Sequence, residues 1–323
     1  TMRSRTAAQT WLPLLLAPLA GALVTAALAP YDLWLAGIAS CAIYAALLAG
    51  CTPRQALLRG WLVGIGLFGS GVSWVYVSIH GHGYAPVWLA SLLTAAFCAG
   101  LALLHAAFGW TYVRFVRALP GGMLVGFPAL WVLFEWLRAW LLTGFPWLYL
   151  GYAHIDTWIA GWAPVVGVYG LSFICAVSGT CAFLAWRSRQ PMAIGTYLVL
   201  TATLWVGGAV LKPFQWVADA SDRPLSVAVY QPNVRQQDKW NPRFYRTILR
   251  QLERGSEPLL GHDLLVWPES AVPAYYQRAG GFLEPMFERA QASGTALVTG
   301  IPFRDEDGGR YYNSIVSRGD GQG

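Results

Sequence analysis

Two carboxylates stand out by the company they keep. Glu269 lies in the stretch LLVWPESAVP, residues 264–273. An apolar run of four residues is cut off by Pro268, the acid follows at once, and Pro273 stiffens what comes next. Proline lacks the N–H that a sheet ladder needs, so it ends a central strand and restricts the exit loop. An open α/β sheet presents one acid in this way at the carboxyl end of a buried strand, where such sheets place their chemistry. A carboxylate in a stiff loop beside apolar neighbours suits a general base that gains and loses a proton near neutral pH. The alternative is a carboxylate that caps the loop or pairs with an arginine. A nucleophile must accompany a base, and the stretch supplies none: Ser270 has no evident His/Asp partners. The chain beyond residue 211 has no cysteine and only two lysines, Lys212 and Lys239.

Glu135 lies in WVLFEWLRAW, inside an apolar segment, with Arg138 three residues on and so on the same helical face. An ionisable group at membrane depth marks a functional site by default. The competing reading is a structural Glu135–Arg138 pair near the outer interface. Just beyond comes TGFPW, an aromatic, proline-broken loop carrying Phe145 and Trp147. Such a loop lines a lipid portal or rests at the headgroups.

These residues must be positioned by two very different halves. The 323 residues are 56% hydrophobic and 12% charged, whereas a soluble domain is nearer about a quarter charged. Up to residue 211 the only acids are Asp32, Glu135 and Asp156; all others lie beyond Lys212. The composition therefore divides the chain into a transmembrane helical domain, 1–211, and a more polar domain, 212–323. A net charge of +6 would suggest nucleic acid in a soluble protein. Here many basic residues sit in short loops between apolar segments, where they set membrane orientation, and no nucleic-acid module is visible. The five cysteines, Cys41, Cys51, Cys98, Cys175 and Cys181, lie in the apolar half without paired spacing, so neither a disulfide framework nor a zinc site is indicated. No metal or organic cofactor is implied, and nothing demands more than a monomer.

A span needs about 20 apolar residues. The candidates are 11–29, 33–50, 56–79, 87–113, 123–142, 165–186 and 192–211, about seven helices. The first, preceded by Arg3 and Arg5, has the look of a signal peptide, but Pro30 just past the small-residue site and the further spans favour a retained anchor. Arg3 and Arg5, Arg54 and Arg59, Arg114 and Arg117, and Arg187 and Arg189 fall on one side, while the alternate loops lack lysine and arginine. The positive-inside rule puts the N-terminus in the cytoplasm and, after an odd number of spans, residues beyond 211 in the periplasm of a bacterial inner membrane. The match of residues 64–69, GIGLFG, to a dinucleotide fingerprint is set aside, because small residues in a lipid-soluble segment serve close helix packing. His80 and His82 read as solvated loop residues.

In the polar half, 225–230 reads as a strand and 241–254 as a helix with Asn241 as N-cap and Pro242 at its first position. Residues 264–267 read as a second strand, 282–292 as a helix, and 296–300 and 311–317 as two more strands. The alternation argues for an α/β sandwich.

Several stretches carry a family resemblance: VAVYQPNVRQQDKW, LLVWPESAVP, LVTGIPF and YYNSIV resemble the first half of a nitrilase-type domain. Together with FEWLRAWLLTGFPWLYLGY and GVYGLSF ahead of them, they resemble the apolipoprotein N-acyltransferases of bacterial inner membranes. The resemblance implies a polytopic helical domain followed by part of a nitrilase-type αββα sandwich. It also implies a ping-pong reaction. A cysteine thiolate takes an acyl chain from a phospholipid, typically phosphatidylethanolamine, as a thioester, then passes it to the α-amino group of a diacylglyceryl-cysteine at an apolipoprotein N-terminus. In the Glu–Lys–Cys triad of that family, Glu269 matches the base, and Trp240 matches a tryptophan near the acyl pocket. The family's lysine and cysteine fall downstream of the matched segments, so the chain reads as truncated and inactive by itself. Glu135, Arg138, Phe145 and Trp147 are the expected lipid-side contacts. The rival readings are a membrane-tethered nitrilase-type amidase and a non-catalytic lipid-binding remnant.

Overall fold

The computed structural model describes residues 7–220, 223–305 and 309–319. Arg3 and Arg5, used in the orientation reading, lie outside the described residues. The chain divides into two compact units, Thr1–Val217 and Ala218–Gly323.

The first unit is helical: α1 Ala7–Ala27, α2 Trp34–Ala49, α3 Pro53–Gly71, α4 Val87–Thr111, α5 Phe127–Trp140, α6 Ala163–Arg187 and α7 Pro191–Leu211. Local sequence sets some boundaries sharply. Thr52 and Gln55 form a reciprocal capping box at the start of α3, with Pro53 in its first turn, so two otherwise orphaned N–H groups are satisfied. Helix α3 is packed against both α1 and α4, and its glycines allow it. A β-carbon on Gly64 would lie 2.6 Å from Ala102 Cα, and one on Gly66 would run into the Pro18 backbone. The glycine pattern at 64–69 is a packing surface, as close helix approach requires.

Each of the seven expected spans coincides with a helix, yet among the described residues four helices are long and apolar enough to cross a membrane. These are Val87–Val116, Gly122–Thr143, Trp158–Arg187 and Pro191–Leu211. A fifth counts if Pro53–Gly71 and Val75–His82, bent by 58°, form one broken span. The expected first two spans yield only Trp11–Ala27 and Trp34–Ala49 as apolar helix. Apolar runs overstate helix length because they include non-helical residues: Ala29 and Pro30 lie in a turn, and the 56–79 run breaks after Gly71. Against about 1.5 Å per residue, these two helices fall short of the roughly 30 Å hydrocarbon core. Among the described residues, His80 and His82 are exposed, and the His80 ring bonds the Ala85 carbonyl at 2.8 Å.

The second unit is built on one four-stranded sheet in the order β1 Val227–Val229, β2 Leu264–Val266, β3 Ala296–Arg304, β4 Tyr311–Arg318. The first three strands are parallel and β4 is antiparallel to β3. Helices α8 Tyr245–Ser256 and α9 Tyr276–Ala292 cross between the parallel strands and close one core with them. Ile248, Leu252, Leu283, Met286 and Phe287 bury against Ala228, Leu265, Leu297 and Ile301. Alternate residues leave the other side of the sheet open, with Val227, Val229 and Ile315 exposed. The second unit is thus one small mixed sheet with helices packed on one face.

The helix expected from Asn241 starts instead at Tyr245. Asn241 Oδ1 accepts from Arg243 N at 3.1 Å and its carbonyl from Phe244 N at 2.9 Å, so Asn241-Pro242 make a turn ahead of the helix. The helix expected at 282–292 begins six residues earlier, at Tyr276, and carries Pro285 within it.

Candidate active site

Glu269 sits where β2 runs out. Trp267 N still donates to Val298 O at 2.8 Å, which continues the parallel ladder one residue past the strand. Pro268 has no N–H to offer, Ser270 takes a positive φ of 47°, and the loop then rejoins β3 through Ala271 N to Gly300 O at 3.1 Å. The loop is laid directly on β3. A β-carbon on Gly300 would lie 2.7 Å from Glu269 Cα, 3.1 Å from Pro268 O and 3.1 Å from Ser270 N. Glycine inside a strand marks such a close backbone approach.

Two further side chains fix the acid. Asn313, which opposes Pro302 in the β3–β4 register, donates from Nδ2 to Glu269 Oε1 at 2.7 Å. Lys239 donates from Nζ to the Glu269 carbonyl at 3.0 Å. Trp240 follows Lys239 in the chain and is 53% exposed. Glu269 itself is exposed and its partners are polar, so the apolar setting expected from the neighbouring sequence is not its environment. The apolar run points instead into the core: Leu265 and Trp267 are buried, and Trp267 Nε1 donates to Ser256 Oγ at 2.8 Å. A carboxylate with one oxygen held by a neutral amide keeps lone pairs available to accept a proton. That arrangement can serve a base.

Asn313, Gly300 and Lys239 were not expected at the site. The sequence held a signal for the first two: asparagine and glycine are both disfavoured inside strands, so each needs a reason to be there. Lys239 gave none, since its contact depends on how the segment at 236–240 folds back.

In the helical unit, Glu135 and Arg138 are 5% and 3% exposed. No hydrogen bond or ion pair joins them among the described residues. Each grips the following loop instead. Glu135 Oε1 accepts from Trp131 Nε1 at 3.0 Å and from Leu150 N at 2.8 Å. Arg138 Nη2 donates to Trp147 O at 2.8 Å, and its guanidinium lies 5.3 Å from the ring centroids of Phe68 and of Tyr149. The loop needs holding: Leu142, Thr143, Gly144 and Leu148 all have positive φ. It displays Phe145 stacked on Trp147 at 4.9 Å, with Trp147 48% exposed and Trp74 and Phe97 against the pair. Glu135 and Arg138 are thus brought together as the two jaws that hold Phe145 and Trp147.

Residues 20–181 match the family of the apolipoprotein N-acyltransferase N-terminal domain, half of the chain. The chain belongs to that family. It is 41% identical over 321 residues to the apolipoprotein N-acyltransferase of Pseudomonas syringae pv. tomato, covering 97% of this chain and 63% of that protein. It is 42% identical over 322 residues to that of Pseudomonas aeruginosa, covering 97% and 62%. To the Coxiella burnetii protein of the same name it is 38% identical over 310 residues, covering 95% and 64%. The chain therefore spans just under two thirds of the length of these acyltransferases. All five of its cysteines are buried in the helical unit.

Proposed function

We propose that this chain supplies the membrane unit and the base of an enzyme that N-acylates lipoproteins. The observation that carries the reading is Glu269, presented at the end of a buried parallel strand and fixed by Asn313 and Lys239, in a chain of this family. In the reaction, a cysteine thiol gives its proton to Glu269 and attacks the ester carbonyl of a phospholipid, with phosphatidylethanolamine as donor. The tetrahedral intermediate expels the lysophospholipid alkoxide, which recovers the proton, and a thioester remains. The α-amino group of a diacylglyceryl-cysteine then attacks the thioester, giving its proton to Glu269. Collapse releases the amide and the thiolate, which is reprotonated. The thiol and the oxyanion-stabilising lysine come from the remainder of the nitrilase-type domain, whose second layer covers the open face of the sheet.

Glu135 and Arg138 contribute to lipid binding by holding the loop that offers Phe145 and Trp147 to the acyl chains, and Trp240 flanks the acyl site. The polypeptide crosses a bacterial inner membrane seven times, with the two short first helices accommodated by local bilayer thinning. Its N-terminus is cytoplasmic, its second unit periplasmic, and it works as a monomer. The test is Glu269→Gln in the intact enzyme, incubated with phosphatidylethanolamine and a diacylglyceryl peptide. Loss of triacylated peptide by several orders of magnitude is expected. Undiminished triacylation refutes the reading, and free fatty acid as the wild-type product would make it a hydrolase.

A further inference from the structure

The clamp in the helical unit leaves three polar atoms unsatisfied. Glu135 Oε2, Arg138 Nε and His105 Nδ1 are each buried without a hydrogen-bond partner among the described residues. The Ser172 hydroxyl accepts from Gly151 N at 2.8 Å and lies close to the same carboxylate, outside hydrogen-bonding geometry for Oε2. A buried polar atom left unpaired costs about 1–3 kcal/mol, so three in one place call for a ligand.

All three residues line one small recess with room for about 10 Å³, lined also by Leu67, Leu104, Phe108, Trp131, Phe134 and Leu148. Aromatic rings fix its walls: His105 lies 5.9 Å from Trp131 and 5.7 Å from Phe68, ring centroid to centroid. Size excludes any lipid or organic ligand, since roughly 10–15 Å³ is the least space that takes even one water. Chemistry narrows it further. Arg138 Nε–H can only donate and Glu135 Oε2 as a carboxylate can only accept. A bare cation cannot accept from the arginine, and a simple anion cannot donate to the carboxylate. Water does both.

We infer that this cavity is a structural hydration site for one water molecule. The water accepts from Arg138 Nε and donates to Glu135 Oε2 and to His105 Nδ1, three bonds, the usual number for a buried water. It joins α4 to both jaws on α5, so the loop that carries Phe145 and Trp147 is braced from the bundle interior. The site is independent of the acyl-transfer reading.

Two measurements on the purified chain in detergent test it. A crystal or cryo-EM map at better than about 2 Å should show one spherical peak within about 3.2 Å of Arg138 Nε and Glu135 Oε2. A direct bond between those two atoms, or an unfilled cavity, overturns the inference. X-ray radiolysis makes hydroxyl radicals from bound water in place. His105 and Trp131, although buried, should oxidise several-fold faster than Phe183 once each is normalised to its intrinsic reactivity. His105→Phe should bring Trp131 down to the Phe183 rate. Oxidation of wild-type His105 and Trp131 no faster than that of Phe183 overturns the inference, whether or not the variant folds.

Discussion

Gly300→Ala places a single methyl group where the Glu269 loop now lies on β3. Its carbon would sit 2.7 Å from Glu269 Cα and 3.1 Å from both Pro268 O and Ser270 N. Carbon atoms at rest are about 3.5–4.0 Å apart, so the loop must withdraw by roughly 1 Å. The loop cannot bend away freely, because Pro268 and Pro273 restrict it and Ser270 already holds a positive φ. Withdrawal stretches the 3.1 Å bond from Ala271 N to Gly300 O and the 2.7 Å bond from Asn313 to the carboxylate. Overpacking of this kind costs about 1–3 kcal/mol of stability. A displacement of about 1 Å in a catalytic group costs about 10²-fold in rate. The expected result in the intact enzyme is therefore a kcat reduced about 30- to 100-fold with KM for phospholipid nearly unchanged, since the loop proposed to meet the acyl chains is untouched. The assay is triacylation of a diacylglyceryl peptide in mixed micelles, with hydrogen exchange of β2 and β3 to confirm that the sheet persists. A folded Gly300→Ala enzyme within twofold of wild type would show that the position of Glu269 is not set by this contact.

Three further outcomes follow from the same geometry. Asn313→Ala removes a hydrogen bond to a charged group, worth about 1.5–3 kcal/mol, and should lower kcat at least about 10-fold; an unchanged rate would make Asn313 incidental to the base. Glu135→Ala strands the N–H groups of Trp131 and Leu150, at about 1–3 kcal/mol each, and should open the loop at 141–150 to protease, whereas Glu135→Gln, which keeps an acceptor, should not. Asp263 is held below the usual aspartate range by hydrogen bonds from the Ser226 backbone and then its side chain, with the Arg223 guanidinium adding to the effect. Its folded-state value is the depressed one, so its stabilisation is present above about pH 4 and is lost as pH falls below that. Hydrogen-exchange protection of β1 and β2 should fall over that window and lose this component in Asp263→Asn.

Much of this molecule is dictated by local sequence. The shift in acid content near residue 211, the proline after LLVW and the period of each apolar run fix which segments are helices, which are strands and where β2 must stop, because backbone preference and burial act over a few residues. What the chain order cannot carry is who meets whom across the fold. Glu135 and Arg138 are three residues apart on one face, which suggests a pair; only packing shows that each turns to a different part of the next loop. The apolar neighbours of Glu269 suggest a dry site, but alternation sends Leu265 and Trp267 inward, and the loop that begins at Pro268 turns the acid out to Lys239, 30 residues earlier, and Asn313, 44 residues later. Side-chain direction in a strand follows from sequence with a period of two; the partner waiting at the end of it depends on sheet register and on a glycine in the next strand, and these are decided only when the elements assemble.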